Sequence, residues 1–159
     1  MKFWIGVASK DHVERGVAGG FCQVCHGKAA PLMRMHQGDW IIYYSSKKTF
    51  ERANSASVES CQQFTAIGEV IDDAVYEFAM TPDFIPYRRN VRFLDCKAID
   101  IRPFINELGF IKNKSRWGYA FRFGHLEISR LDFNLIASQM LGANEAALVP
   151  SLKQDRFAA

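Results

Sequence analysis

Five short runs of the β type restrict the fold of this chain more than any other feature of its sequence. Each run is rich in aromatic or β-branched residues and is bounded by turn-forming or polar residues, which is typical of strands. Three short helical segments accompany them, but strands and helices do not alternate as βαβ units. The sequence therefore predicts one α+β domain, a small curved mixed sheet or barrel with short helices at its rim. The runs span residues 3–8, 40–44, 64–71, 87–93 and 117–123.

Polar and glycine residues mark the ends of the predicted elements. Ser9 precedes a helix that ends among the glycines of residues 16–20, and Ser129-x-x-Asp132 is a capping box that opens the last helix. Gly68 lies inside a predicted strand, where it indicates a bulge or a close approach of another backbone. These signals place helix and strand boundaries along the whole chain.

The length of 159 residues fits a single domain. We assign residues 1–142 to this domain and residues 143–159 to a weakly patterned C-terminal tail. The polar segment 45–59 has no periodicity and predicts a loop. The chain has no run near the ~18 apolar residues of a membrane span and no signal-peptide pattern, so we expect a cytoplasmic protein with reduced cysteines and no membrane partner.

The positive charge is concentrated in one part of the chain. Between Phe84 and Arg122 there are nine Lys or Arg residues against three Asp or Glu residues, although the net charge of the chain is only +3. Such a block suits a polyanion, and the alternative is a solvated face without specific binding.

The segment Cys22-Gln23-Val24-Cys25-His26 matches the C-x-x-C-H pattern of c-type haem attachment. That attachment requires an exported chain, and a redox C-x-x-C belongs at a strand-to-helix junction rather than after a helix end. Zinc would need a fourth ligand from Cys61, Cys96 or His36, which are isolated in the sequence. We therefore predict that the motif is incidental and that the protein holds no metal or cofactor.

Nucleophilic catalysis by Cys25 with His26 is disfavoured, because adjacent side chains of an extended segment point to opposite faces. The sequence also lacks the P-loop, G-x-G-x-x-G, H-E-x-x-H and G-x-S-x-G motifs. What remains is a set of polar and aromatic residues near strand ends, the types that a nucleobase pocket uses for stacking and for hydrogen bonds to base edges. The alternative for each aromatic residue is packing in the core. The set comprises Ser9, His12, Phe21, Gln23, His26, Lys28, Tyr43, Tyr44, Ser45, Arg88, Arg89 and Trp117.

The order of several short motifs over residues 3–140 resembles that of EVE-domain proteins. No motif is specific alone, whereas their order and spacing together are. They are Phe3-Trp4-Ile5-Gly6-Val7-Ala8-Ser9, His12-Val13, Gly20-Phe21-x-Gln23, His26-Gly27-Lys28, Gly38-Asp39, Tyr43-Tyr44-Ser45, Phe64-Thr65-Ala66-Ile67-Gly68, Tyr87-Arg88-Arg89, Trp117-Gly118 and Asp132-Phe133.

The resemblance implies a PUA-like fold, a twisted mixed β-barrel flanked by short helices and related to YTH and ASCH domains. It also implies recognition of a modified base of DNA or RNA in a cavity. By position, Ser9 and His12 would border this cavity, Phe21 and Gln23 would line it, and Trp117 would close it. The expected polar rim that holds phosphates comprises His26, Lys28, Tyr43, Tyr44, Ser45, Arg88 and Arg89.

Three functions follow as hypotheses. The leading one is a non-catalytic module that takes an unpaired, modified nucleobase of DNA or RNA into an aromatic and polar cavity. An alternative from the ASCH relatives is a small amidohydrolase acting on a modified nucleoside, for which Lys28, Thr65 and Glu69 supply the residue types. A third is a binder of a free small metabolite. A homodimer is left open.

Overall fold

The computed structural model describes residues 1–49 and 59–155 of the chain. One mixed sheet of seven strands forms the centre of this part, in the order β2-β5-β4-β3-β1-β7, with β6 paired to β4. β1 and β3 are parallel, and the other pairs are antiparallel. The strands are β1 (Phe3–Val7), β2 (Phe21–Cys22), β3 (Trp40–Lys47), β4 (Ser60–Glu77), β5 (Tyr87–Phe93), β6 (Ile99–Asp100) and β7 (His125–Ile128).

Short helices cover the sheet. The α-helices are α1 (Lys10–Gly19), α2 (Ala29–Met33), α3 (Arg130–Met140), α4 (Ala143–Ala146) and α5 (Pro150–Asp155), and the 3-10 helices are Cys25–Gly27, Arg102–Phe104 and Lys114–Phe123. In the described ranges, no helix is long and apolar enough to cross a membrane.

The sheet has an apolar core on each of its two faces, and the residues of β3 contribute to both. Trp40, Ile42 and Tyr44 belong to one apolar cluster, which includes residues of α3, whereas Ile41 and Tyr43 belong to a second cluster next to α1 and α2. Because successive side chains of a strand alternate between faces, burial on both faces requires a continuous apolar run instead of an alternating one. The continuous apolar run 40–44 therefore reflects helices packed on both faces of the sheet.

The fold class is confirmed. The sheet is mixed and carries short helices in a single domain, and of the predicted sheet or barrel the structure shows an open sheet. Its edge strands β2 and β7 are two and four residues long, and in the part of the chain with described coordinates no ladder joins them. Such short strands offer few backbone groups for a closing ladder.

The predicted strand 117–123 is wrong, because these residues lie in the 3-10 helix Lys114–Phe123. The side chain of Asn113 accepts a hydrogen bond from the Arg116 N–H at its start, and Gly124 ends it with a φ of 72°. Alternating aromatic residues imitated a strand, although the segment contains no β-branched residue. The strand of this region is β7, which follows the helix directly.

Other local predictions fare better. Gly20 adopts φ 70° at the end of α1, and the Ser129 hydroxyl caps α3 by accepting from the Asp132 N–H. A Cβ on Gly68 would lie 2.9 Å from the Arg92 carbonyl oxygen, the predicted close approach of another backbone. Of the predicted loop 45–59, the first residues extend β3 and residues 50–58 lie outside the described residues.

The C-terminal tail is more ordered than its weak pattern indicates, at least to Asp155. It forms α4 and α5, Val149 is fully buried, and the Ser151 hydroxyl donates to the Asn134 side chain over 2.7 Å. A few apolar contacts and this hydrogen bond attach the tail to α3.

Candidate ligand site at the sheet edge

Two glycines fix the position of Phe21 at the end of α1. A Cβ on Gly19 would lie 2.5 Å from a ring carbon of Phe21, and one on Gly16 would lie 2.7 Å from the Phe21 carbonyl oxygen. Any side chain at either position would push β2 away from the helix. The glycines that end α1 therefore also allow the Phe21 ring to lie close against it.

Arg88 is the centre of the candidate site. Its guanidinium carbon lies 3.7 Å from the centroid of the Phe21 ring and 3.9 Å from that of the Phe78 ring, and its Nε donates to Oε1 of Gln23 over 3.2 Å. Cations are attracted to aromatic faces at such distances. Two rings and one amide thus hold a guanidinium that is only 7% exposed.

No carboxylate compensates the charge of Arg88 in the described structure, because none of the ion pairs found there includes it. Burial lowers the pKa of Arg88, while Tyr76 opposes this shift. The two terminal nitrogens have no hydrogen-bond partner among the described residues, and they are not among the fully buried unpaired atoms, so solvent reaches them. Arg88 therefore presents open N–H donors to an approaching acceptor.

Gln23 is fixed through its backbone. The Tyr43 hydroxyl donates to the Gln23 carbonyl oxygen over 3.0 Å, and the Gln23 N–H donates to the same hydroxyl oxygen over 3.1 Å. Burial raises the pKa of Tyr43, which keeps this hydroxyl protonated. Among the described residues, the one hydrogen-bond partner of the Gln23 amide nitrogen is the Met80 sulfur, at 3.9 Å. A weak acceptor of this kind leaves the amide available to a ligand.

His12 joins this group from α1, and Ser9 does not. Burial lowers the pKa of His12, and the charges of Arg15 and Arg88 lower it further, so the imidazole is neutral at pH 7. The Ser9 hydroxyl instead donates to the Asp11 carboxylate at the start of α1. Of the predicted pocket residues, the structure brings together His12, Phe21 and Gln23.

Trp117 lies in the 3-10 helix Lys114–Phe123 and packs against the apolar cluster that contains Tyr44. Its ring meets that of Tyr44 edge to face, with centroids 6.5 Å apart, and Tyr44 also stacks on Phe121 at 3.9 Å. Tyr44 belongs to the core cluster opposite Tyr43, so its predicted position at the rim corresponds to core packing. Ser45 is buried and hydrogen-bonded to Thr65 over 2.8 Å. Nothing in these contacts connects Trp117 to Arg88.

Arg89 does not belong to a phosphate-binding rim. It is 2% exposed, and its guanidinium donates to the carbonyl oxygens of Leu32 and Asp72, over 3.2 and 2.9 Å, and to the Asp73 carboxylate over 3.1 Å. These contacts connect β5 to α2 and β4, so we correct its assignment to a structural one. Arg88 is likewise a residue of the site interior rather than of its rim.

His26 and Lys28 are exposed, as expected of rim residues. His26 lies in a left-handed turn, because Cys25, His26 and Gly27 have φ of 50°, 58° and 80°. The first two are not glycines, and left-handed backbone costs such residues roughly 1–2 kcal/mol each. The turn therefore stores local strain at the surface beside the site.

The residues of the hydrolase hypothesis have separate partners. Thr65 is hydrogen-bonded to Ser45, Glu69 is paired with Arg92, and Lys28 is exposed in the loop before α2. Within the described residues, no hydrogen bond or ion pair connects any two of the three. No observation favours catalysis by this set.

The C-x-x-C-H segment contains unreactive thiols. Burial raises the pKa of Cys22 to about 12 and also raises that of Cys25, so neither is an activated thiolate. All four cysteines are free. Across residues 1–49 and 59–155, no group of three or more His, Cys, Asp or Glu side chains is placed to hold a metal ion.

Sequence reasoning missed Phe78, the second ring on Arg88. The signal was present, because Tyr76, Phe78 and Met80 recur at every second residue where β4 ends, and such residues share one face of a strand. Tyr76 donates to Asn90 over 2.9 Å on this face. Phe78 is 47% exposed, so part of its ring is free for stacking.

Two shallow depressions, of about 670 and 460 Å³, lie elsewhere on the protein. The larger lies along α3 and α4 and includes Leu131 and Leu152, and the smaller lies beside β7. No residue of the predicted base pocket lines either of them. The candidate site is therefore a surface cluster around Arg88 and is not one of these depressions.

Comparison with known proteins identifies the family. The EVE domain matches residues 2–139. A "UPF0310 protein in gntR 5'region" of Bacillus licheniformis is 55% identical over 133 residues, covering 84% of this chain and 87% of that protein. A UPF0310 protein of Mycolicibacterium vanbaalenii is 49% identical over 141 residues, covering 89% of this chain and 94% of that protein.

Solved structures with low identity have the same fold. The NMR structure of Rpa0253 from Rhodopseudomonas palustris has a TM-score of 0.54 at 13% identity, covering 87% of this chain and 92% of that one. A crystal structure of a Pseudomonas putida protein has a TM-score of 0.52 at 15% identity, covering 86% and 98%.

Proposed function

This chain belongs to the EVE domain family, and from that premise we propose that it is a non-catalytic module that binds nucleic acid by holding one nucleobase at the Arg88 site. The observation that carries the proposal is the uncompensated guanidinium between the Phe21 and Phe78 rings. Its open N–H donors match the acceptors on a base edge or on a phosphate.

The chemistry of the cluster suits an unpaired base. The exposed part of Phe78 offers a stacking surface for any aromatic ring, and Arg88 and the Gln23 amide offer donors at fixed positions. Two donors of a guanidinium engage two acceptors in one plane, such as O6 and N7 of guanine or a carboxyl group on a modified base. Extruding a base costs a few kcal/mol, so a single-stranded or already unpaired base is favoured.

A binder of a free small metabolite would use the same contacts, so the experiment must separate the two. We would compare binding of nucleosides, nucleotides and short single-stranded DNA and RNA that contain modified bases, by fluorescence anisotropy and competition. The proposal expects a base-dependent affinity that increases with oligonucleotide length, because phosphates flanking the base add contacts. Full affinity for a free nucleoside would favour the metabolite.

The decisive variant is Gln23→Glu. It has the same shape as the natural side chain and adds a carboxylate next to Arg88 Nε, which would compensate the charge that a ligand is meant to meet. We expect binding to fall by about tenfold or more without a lower melting temperature. Gln139→Glu, exposed on α3, is the control with the same change of net charge. Equal binding by the two variants would contradict the proposal.

A further inference from the structure

A second surface combines exposed aromatic rings with cations, around the 3-10 helix Lys114–Phe123. Tyr119 is 56% exposed and Phe123 67% exposed, and their rings meet edge to face with centroids 6.3 Å apart. The guanidinium carbon of Arg122 lies 5.1 Å from the Tyr119 centroid. Large aromatic rings at this exposure are costly to leave in water, so their grouping beside a cation indicates a partner.

The charge of this surface is not compensated. Lys112, Lys114, Arg116 and Arg122 are exposed, none takes part in an ion pair of the described structure, and residues 109–124 contain no Asp or Glu. Other cations of the same basic block are already neutralised, because Arg92 pairs with Glu69 and Arg102 pairs with Asp100. Lys97 apart, the exposed cations of the block that have no ion-pair partner in the described structure therefore lie at this helix and the residues before it. We call the cations and the two rings the basic aromatic surface.

We infer that the basic aromatic surface binds single-stranded nucleic acid, with bases stacked on Tyr119 and Phe123 and phosphates held by Lys112, Arg116 and Arg122. The ammonium of Lys114 already donates to the Leu108 carbonyl oxygen over 2.7 Å. A duplex hides the faces of its bases, whereas a single strand presents phosphates and free base faces together. Within a nucleic-acid-binding protein, the surface therefore fits the strand that flanks the recognised base. This inference rests on the proposed function for its choice of polyanion, and it names a second and separate contact region.

The basic aromatic surface is connected to the chain beside the Arg88 site through the left-handed turn of residues 25–27. The Cys25 thiol donates to the Phe123 carbonyl oxygen over 3.5 Å, and a Cβ on Gly27 would collide with Pro86, in the hairpin that follows Phe78. The left-handed turn thus lies between the two regions, with its exposed His26 available to phosphates. A strand bound at both regions would pass over this turn.

Two sets of exposed substitutions test the inference. The first is Tyr119→Ala with Phe123→Ala, and the second is Lys112→Gln with Arg116→Gln and Arg122→Gln. The probes are labelled oligothymidylate and oligouridylate, titrated at several salt concentrations, with a duplex of the same length and vesicles containing phosphatidylserine.

The aromatic variant should weaken binding of both single strands by about thirtyfold or more, since stacking contributes roughly 1–3 kcal/mol per base and two rings are removed. The charge variant should reduce the slope of log affinity against log salt by about 0.7 for each phosphate that is no longer bound. Two controls should leave affinity and slope unchanged: Arg102→Gln removes a cation that Asp100 already neutralises, and Leu131→Ala removes an exposed apolar residue on α3.

Each contrary result has a distinct meaning. Equal affinity for duplex and single strand, with no effect of the aromatic variant, would overturn stacking, and binding to vesicles but not to oligonucleotides would identify a lipid surface instead. If Gln23→Glu alone weakens oligonucleotide binding, the inference fails and the proposed function stands. If only the basic aromatic variants weaken it, the Arg88 site fails and this surface stands.

Discussion

Arg88 and Arg89 are neighbours on β5, and their surroundings differ completely. Arg89 is held by two backbone carbonyl oxygens and the Asp73 carboxylate, although its Nε has no partner. Arg88 is held by two rings and an amide, with no carboxylate in the described structure. Because adjacent side chains of a strand point to opposite faces, two identical residues separate into a structural cation and a cation open to a ligand. Burial alone therefore does not reveal which arginine has donors open to a ligand.

The largest expected effect is the loss of stability in Arg89→Ala. The change removes the Arg89 donors from the Leu32 and Asp72 carbonyl oxygens and opens a cavity, so we expect the free energy of unfolding to fall by about 3 kcal/mol. Arg88→Ala is the matched variant and should cost about 1 kcal/mol, because it removes only the packing against two rings and one hydrogen bond. Urea denaturation measures both, and equal losses of stability would remove the distinction between the two arginines.

The second expected effect is on ligand affinity. Folded Arg88→Ala should bind a preferred single-stranded oligonucleotide about tenfold more weakly, because it loses donors to the base. Asp73→Asn, which perturbs only the partner of Arg89, should bind as the natural protein does. Anisotropy titrations test the pair. Unchanged affinity in Arg88→Ala would assign this arginine, like Arg89, to the fold alone.

The third effect concerns Asp73, whose side chain is 70% exposed. Solvent screens its ion pair with Arg89, so Asp73→Asn should reduce stability far less than Arg89→Ala does. A hydrogen bond from the Gln37 N–H lowers the pKa of Asp73, and Arg89 contributes to the same direction. Its stabilisation is therefore present above the pKa of the unfolded chain and is lost as pH falls through the lower folded pKa. The urea denaturation midpoints of the natural protein and of Asp73→Asn should converge as the pH falls. A difference between them that stays constant with pH would contradict this.

The smallest effect is a change in the titration of His12. The charge of Arg88 lowers the pKa of His12, after burial and Arg15, and Asp11 opposes it. Replacing Arg88 with glutamine should move the midpoint of the His12 ring signals in NMR upward, whereas Asp73→Asn should leave it in place. The sign is also visible in stability: a folded pKa below that of the unfolded chain means that stability falls as pH drops below about 6.5. A midpoint unmoved by Arg88→Gln would show that the charge of Arg88 is compensated.

The fold class could be predicted because the signals that specify it are local in the sequence. The continuous run 40–44, the glycines that end α1 and the Ser129 cap all lie within a few residues of the structure that they specify. The strand predicted over residues 117–123 was wrong because it rested on the two-residue spacing of the aromatic residues alone, in a segment without β-branched residues. Whether the sheet is open or closed could not be predicted, because closure requires pairing of β2 with β7, which are distant in sequence.

The candidate site was predictable in its members and not in their roles. Phe21, Gln23 and Arg88 were all candidates, but a pattern of residues does not say which arginine of a pair meets a carboxylate. The Asp73 that neutralises Arg89 is 16 residues away along the chain, across the irregular region of the β4 and β5 ladder. Phe78 follows the last residue of β4, and although its two-residue spacing from Tyr76 was visible in the sequence, its contact with Arg88 depends on the pairing of β4 with β5. The roles of these residues at a ligand stay predictions.

The Tyr43 hydroxyl makes the two backbone hydrogen bonds that a neighbouring strand would make to Gln23, the residue after β2. It bonds to both the N–H and the C=O of Gln23, beyond the last residue that β5 pairs with. One phenol therefore extends a two-residue strand by one residue. The Gln23 amide hydrogen should consequently exchange with deuterium slowly while Tyr43 is present and rapidly in Tyr43→Phe. Its exchange rate is thus a local readout of how often this edge of the protein opens, independent of global unfolding.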